Sequence, residues 1–272
     1  MTVQIDLAAY LRRIGYTAAP RADVPTLTAL ATAHANAIAF ENLDPFLGHP
    51  VRLELAAIEA KLVGAGRGGY CFEHNHLFAA ALRAIGFHVD GLIARVLWRQ
   101  PEDASTAETH MLLRVDAGGD AWLADVGFGS MTLLGALRMV ADVPQSTALE
   151  AFRLVRHDAE WRMQADLCGA WHTLYRFAPE PHPEIDYVVA NHYVSTWPAS
   201  KFVQHVIASR VDGDRRLTLR DREFHVRHPG RDPERHALRD GAEVCAVLAD
   251  AFRIRVPEPA ALARRIDALP PE

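Results

Sequence analysis

Apolar positions recur at helical spacing over the first 86 residues and at a spacing of two after that. Residues 5–14 read as a helix: Ile5, Ala8, Ala9, Leu11 and Ile14 fall on one side, and Gly15 is placed to stop it. Pro20 and Pro25 mark a loop. A second helix is expected over 26–38, with Thr26 as its N-cap and Leu27, Leu30, Ala31, His34 and Ile38 on one face. Phe40-Glu41-Asn42-Leu43-Asp44-Pro45 is aperiodic, and Val51, Leu53 and Leu55 alternate briefly. A helical run from Ala56 to Val63 leads into a glycine loop at 64–69. The helix that opens at Cys71 carries Phe72, Phe78, Ala79, Leu82 and Ile85 on one stripe, with Gly86 at the C′ position.

From residue 87 the period is that of strands, expected at 92–98, 110–116, 121–126, 152–156, 160–165 and 171–177. The last third is mixed: a Pro-rich loop (179–183), a hairpin at 202–220 around Asp212-Gly213, and short helices near 241–252 and 258–268. Helices first, antiparallel strands second and a mixed part last give an α+β class, not alternating βαβ units. The expected segments are 1–86 (helical), 87–190 (β) and 191–272 (α/β).

Composition narrows the function. The 29 basic and 34 acidic residues give a net charge of −5, which disfavours a nucleic-acid binder. No apolar run approaches the ~20 residues of a membrane span, and Met1 to Tyr10 lacks the basic-then-apolar run of a signal peptide. Three widely spaced cysteines, Cys71, Cys168 and Cys245, suit a reducing, cytoplasmic compartment. Arginine and alanine are abundant and only Lys61 and Lys201 are lysines, a composition typical of a GC-rich bacterial genome.

The chemistry gathers around Arg67-Gly68-Gly69-Tyr70-Cys71-Phe72-Glu73-His74-Asn75. A thiol at a helix start meets free backbone N–H groups and the positive end of the helix dipole, and both favour the nucleophilic thiolate. Such a nucleophile needs a base, and the base needs an orienter. His110 begins one expected strand and Asp125 ends the next. A hairpin centred between Ala117 and Gly118 sets the two directly opposite on one face, with Cβ atoms about 5 Å apart. A register shifted by one residue would separate them.

Other patterns compete. Gly64-Ala65-Gly66-Arg67-Gly68-Gly69, followed by Asp90, fits the dinucleotide fingerprint, but a helix-favouring run stands where that fingerprint needs a strand. Cys71, His74 and His76 lack a fourth metal ligand and do not share one helix face, so no metal is expected. The nine arginines of 210–239 are interleaved with acidic residues and read as a solvated mixed-charge surface.

These motifs, together with Phe40-Glu41-Asn42-Leu43-Asp44, Thr109-His110, Asp125-Val126-Gly127-Phe128-Gly129 and the run Asn191–Phe202, resemble the arylamine N-acetyltransferase family over about residues 30–205. The resemblance implies an N-terminal helical bundle, a central antiparallel β-barrel and a C-terminal α/β lid around a Cys-His-Asp core like that of transglutaminases and cysteine proteases. It implies Cys71, His110 and Asp125 as the triad and a ping-pong transfer of acetyl from acetyl-CoA, the donor substrate, to an arylamine, hydrazine or arylhydroxylamine, as in xenobiotic metabolism. Phe40, Val96, Phe128 and Phe202 are the implied amine pocket, with a core role as the alternative for each. Thr109, Gly127 and Gly129 are placed by the coenzyme A entrance. Arg67 is read as a brace, and Glu73 and Asn75 as supports. An amide synthase of the same family and a transglutaminase-like cysteine hydrolase are the rival readings, and a homodimer is the one assembly considered.

Overall fold

The computed structural model describes residues 4–270; the outermost positions of the first and last expected segments lie outside them. Helix Leu7–Ile14 is capped by the Asp6 side chain and ended by Gly15 in the left-handed conformation. The next helix, Val24–Ala37, starts earlier than expected: Asp23, not Thr26, is the N-cap, and its carboxylate accepts the Thr26 N–H at 2.9 Å. Pro25 therefore sits in the first turn, where its missing N–H costs nothing. The run before the glycine loop splits into a short α-helix, Leu55–Ile58, and a π-helical turn, Glu59–Gly64. A helical segment, not a strand, thus precedes the loop, which removes the dinucleotide alternative. Helix Cys71–Ile85 ends at left-handed Gly86.

The strands of the middle third form one antiparallel eight-stranded sheet. Its order is Ala136–Arg138, Asp120–Ala124, Glu108–Ala117, His88–Val96, Ala170–Phe177, Glu160–Leu167, Ala151–His157, Gln145–Ser146. The sheet curls until its two ends meet. There the Gln145 carboxamide accepts the Arg138 N–H and donates to the Arg138 carbonyl, both at 2.9 Å, so one side chain spans the seam of a nearly closed barrel. Phe152, Leu154, Met163, Leu174 and Phe177 fill its interior.

A second sheet of five strands carries the last third: Phe40–Glu41, Ile207–Asp212, Arg215–Arg220, Glu223–Arg227 and Glu234–Ala237. The expected hairpin around Asp212-Gly213 is present, preceded by the short helix Lys201–Gln204. Its first strand comes from the aperiodic N-terminal motif, which pairs Phe40 with Ser209 and Glu41 with Ala208. Helices Gly241–Asp250 and Pro259–Asp267 pack their apolar sides on this sheet through Leu248, Leu262 and Ile266. The architecture is the α+β arrangement of bundle, barrel and lid. Among the described residues no helix is long and apolar enough to cross a membrane.

Candidate active site

Cys71 is the first residue of its helix, so its thiol stands at the helix's positive end. Glu73 makes the helix start here, its carboxylate reaching back to accept the Tyr70 N–H at 3.1 Å. Burial raises the pKa of Glu73, and Lys61, 2.7 Å away, acts against that. Lys61 also meets Asp44 at 2.6 Å, and Arg67 binds both Glu41 (2.8 Å) and Asp44 (2.9 Å). These two cations and three carboxylates form a largely buried network under the loop. Desolvation alone would lower the pKa of either cation; the carboxylates outweigh it and raise both. A side chain at Gly68 would put its Cβ 2.0 Å from the Ala39 carbonyl oxygen, so the loop can lie against residues 39–41 only with glycine there.

His110 and Asp125 meet, by a register other than the expected one. The strands pair Ala117 with Asp120 and Leu113 with Ala124, which centres the turn between Gly118 and Gly119. Continued onward, that register sets Asp125 opposite Leu112, two residues from His110. A shift of two keeps both side chains on one face where a shift of one would not. Asp125 lies one residue past its strand, and His110 Nε2–H donates to its Oδ2 at 2.7 Å. Cys71 lies close enough to the imidazole to act on its charge. The thiol also donates to the Thr109 carbonyl at 3.6 Å.

Asn75, one turn beyond Cys71, ties the three together. Its amide donates to the Met111 carbonyl (2.8 Å) and to Asp125 Oδ1 (3.1 Å), and its oxygen accepts the Val126 N–H (3.2 Å). Asp125 Oδ1 accepts the Gly127 N–H as well, at 3.0 Å. All three candidate catalytic side chains are nearly sealed from solvent. Burial would pull the His110 imidazole down, but Asp125 and Cys71 together push it up to about 10. Burial would likewise raise the Asp125 carboxyl, yet His110, the Gly127 N–H and Asn75 hold it below the usual carboxylate range.

Two aromatic walls flank this centre. Phe40 and Phe202 lie 6.1 Å apart, with Tyr70 edge-on to Phe202 at 5.6 Å. Phe128 is perpendicular to His110 at 5.1 Å, and Tyr175 packs on both. Val96 is the cross-strand neighbour of Tyr175. Gly127 is pressed against the helix that Cys71 opens, where a Cβ would come within 2.8 Å of Cys71 Cα. Gly129 adjoins the Phe40 ring and Ser209. Thr109 contributes its carbonyl to the thiol, while its hydroxyl turns to Ala107.

The pattern along the chain misses Tyr175, whose buried hydroxyl lies beside Asp125. It misses Lys201, close enough to Cys71 to interact electrostatically. Tyr175 carries no local signal, since fold topology alone brings it here, whereas Lys201 stands in the run Asn191–Phe202 as one of the chain's two lysines. Lys61, Asp44 and Glu41 are missed too, although a lysine in a chain with two of them was a visible oddity. Asn42 gives the N-terminal motif its other role: it binds the Phe202 and His205 carbonyls (2.8 and 2.7 Å) and the Ile207 N–H (2.7 Å), fastening the lid. His74 and His76 point into separate surroundings, His74 to His34 and Ala39, His76 to Glu184. Among the described residues no group of three or more His, Cys, Asp or Glu side chains is disposed to hold a metal ion.

Comparison with known proteins accords with this geometry. An N-acetyltransferase family model matches residues 23–261. An arylamine N-acetyltransferase of Mycolicibacterium smegmatis is 42% identical over 254 residues, 92% of each chain. This chain belongs to the arylamine N-acetyltransferase family. The family member from Escherichia coli K12 is 38% identical, covering 91% of this chain and 88% of its own. The solved structure of the Mycobacterium marinum arylamine N-acetyltransferase superposes with a TM-score of 0.94 at 40% identity, over 97% of this chain and 99% of that one. The same enzyme solved in complex with CoA gives a TM-score of 0.93.

Proposed function

We propose that the protein transfers acetyl from acetyl-CoA to arylamines, arylhydrazines or arylhydroxylamines through a thioester on Cys71. The observation that carries this reading is the hydrogen-bonded pair of Asp125 and His110 beside a thiol at a helix N-terminus. In the first half, the Cys71 sulfur attacks the thioester carbonyl, the bond from carbonyl carbon to CoA sulfur breaks, and the thiol proton passes by way of His110 to the departing CoA. Exchange of one thioester for another is nearly balanced in energy, so a stored acetyl group is readily passed on. In the second half, the amine nitrogen bonds to the carbonyl carbon and the Cys71 sulfur leaves. His110 takes the proton that the amine must lose. First-turn N–H groups, which have no intrahelical acceptor, are the donors nearest the developing oxyanion.

Phe40, Phe202 and Phe128, with Val96 behind Tyr175, form the amine pocket in this reading, and Thr109, Gly127 and Gly129 border the donor's approach. Gly127 has a second reason to be glycine in its contact with Cys71. The enzyme works in a reducing bacterial cytoplasm, where its three unpaired thiols persist, and its role is acetylation of foreign aromatic amines.

Intact-mass analysis after incubation with acetyl-CoA tests the proposal. One acetyl adduct on Cys71, absent from Cys71→Ala and discharged by an arylamine with formation of the amide, is the expected result. An adduct on Cys168 or Cys245 would move the nucleophile elsewhere. Loss to water at a rate the amine does not change would make the protein a hydrolase.

A further inference from the structure

The helical bundle holds a line of polar side chains that acetyl transfer as described above leaves idle. Tyr10, His34 and His74 come from three different helices, Leu7–Ile14, Val24–Ala37 and Cys71–Ile85, and all three are sealed from solvent. Tyr10 Oη lies 2.9 Å from His34 Nδ1, His34 Nε2 lies 2.8 Å from His74 Nδ1, and His74 Nε2 lies 3.2 Å from the Ala39 carbonyl oxygen. Burial keeps both rings neutral: it lowers the His74 pKa to about 4 and takes His34 well below its ordinary value. Donor inventory then fixes the direction of the line. A carbonyl oxygen only accepts, so the one proton of the His74 ring sits on Nε2 and its Nδ1 accepts. His34 Nε2–H must therefore donate, His34 Nδ1 must accept, and the Tyr10 hydroxyl starts the chain. Each ring's tautomer is set by its neighbour, and the backbone carbonyl at the end admits no reversal.

The far end of the line is a wall of the amine pocket. The His74 ring stacks on Phe40, 6.4 Å between centroids and 7° between planes, within the range at which aromatic rings attract. Its N–H holds Ala39, the residue before Phe40 and the one Gly68 lies against. One ring thus fixes both the backbone and the side chain of that wall. We propose that His34 and His74 are positioning residues for the acceptor half-reaction, in which the one-way chain from Tyr10 locks the His74 ring and that ring sets Phe40 where the aromatic amine docks. This role rests on Phe40 being a wall of the amine pocket, as proposed above. None of the chain's bonds reaches Cys71, His110 or Asp125, so acetylation of the thiol by the donor proceeds without it. The direction also ranks the members. Without the Tyr10 hydroxyl, His34 can still donate to His74. Without the His34 N–H, His74 Nδ1 is a buried acceptor with no donor, and the ring gains by turning away from Ala39.

Rapid-mixing kinetics on the full chain separate the two halves: release of CoA as acetyl-CoA loads Cys71, then discharge of the acetylated protein by 4-methoxyaniline or by hydrazine, which has no ring to meet Phe40. His34→Phe should raise the half-saturating concentration of 4-methoxyaniline about tenfold, with loading and hydrazine discharge within about twofold of the parent. His34→Gln, whose amide N–H stands where the ring Nε2–H stood, should recover most of that loss, and Tyr10→Phe should cost less than about threefold. His76→Gln, on the same helix as His74 but turned to Glu184, should match the parent. Circular dichroism establishes that each variant is folded. In the parent itself, nitrogen-15 histidine spectra should show both rings neutral and protonated on Nε2, assigned by the signals that His34→Gln and His74→Gln remove. A His34→Phe protein with parental dependence on 4-methoxyaniline, equal losses with hydrazine and with 4-methoxyaniline, or an Nδ1-protonated ring at either position overturns the proposal. A parent that takes no acetyl group on Cys71 fails earlier, at loading, and overturns the reading of the site together with this role.

Discussion

Replacing Asn75 by alanine tests how the site is assembled, because its one amide joins the helix of Cys71 to the strands of both His110 and Asp125. The substitution removes two bonds to backbone groups, worth about 1 kcal/mol each, and one to a carboxylate, worth about 2 kcal/mol. All the deserted partners are buried, so water does not restore what is lost. A destabilisation of about 4 kcal/mol follows. At ~2–4 °C per kcal/mol for a chain of this size, thermal unfolding should shift down by about 8–16 °C. Asp125 keeps His110 and the Gly127 N–H but loses a fixed donor, and kcat/KM should fall about tenfold, the equivalent of ~1.4 kcal/mol. Asn75→Asp should be worse, since it sets a second carboxylate 3.1 Å from Asp125 Oδ1 and forces one of them to hold a proton. Calorimetry and a CoA-release assay read the two effects separately. A shift under about 3 °C with kcat/KM within twofold of the parent would refute the claim that this side chain holds the constellation together.

Gly127→Ala should slow acetyl-adduct formation by about a hundredfold or more with circular dichroism unchanged, because its methyl can fit only by moving Cys71 by some tenths of an ångström; a parental rate would show the contact to be soft. The His110–Asp125 pair should give stability a defined pH window. The folded His110 pKa is raised, so its contribution is full below the ordinary value of 6.5 and is lost as pH rises through about 10. The folded Asp125 pKa is lowered, so its contribution is present above the ordinary 3.8 and is lost as pH falls below that. In urea unfolding, the stability difference between the parent and His110→Gln/Asp125→Asn should therefore be widest at mildly acid pH and shrink toward pH 10. A difference that grows with alkalinity would contradict the assignment.

Much of the site was legible because its chemistry is local. The thiol, its glycine loop and its helix are contiguous, and the change of period at residue 87 separates bundle from barrel. The meeting of His110 with Asp125 survived a wrong register because an error of two residues preserves the face of a strand. The N-cap at Asp23 was missed because a proline between a cap and its helix reads as punctuation unless it is placed in the first turn. The strands Glu223–Arg227 and Glu234–Ala237 were not read: they lie in an arginine-rich stretch whose side chains alternate too weakly in polarity. The nearness of Tyr175 to Asp125 and of Lys201 to Cys71 has no signal along the chain. Each arrives through a pairing or packing more than sixty residues from Cys71 in sequence, and only topology specifies it.

The fastening of the lid by Asn42 has a consequence for the order in which the molecule is made. Asn42 reaches across 160 residues to Phe202 and 165 to Ile207, and Phe40 takes its strand partner at Ser209. A ribosome finishes Cys71, His110 and Asp125 well before it reaches the residues that complete the aromatic wall. Until then Phe40 and Glu41 have their bridge to Gly69 but not their strand partner on the other side. Late closure of the lid strand thus completes the aromatic wall and the five-stranded sheet in the same step.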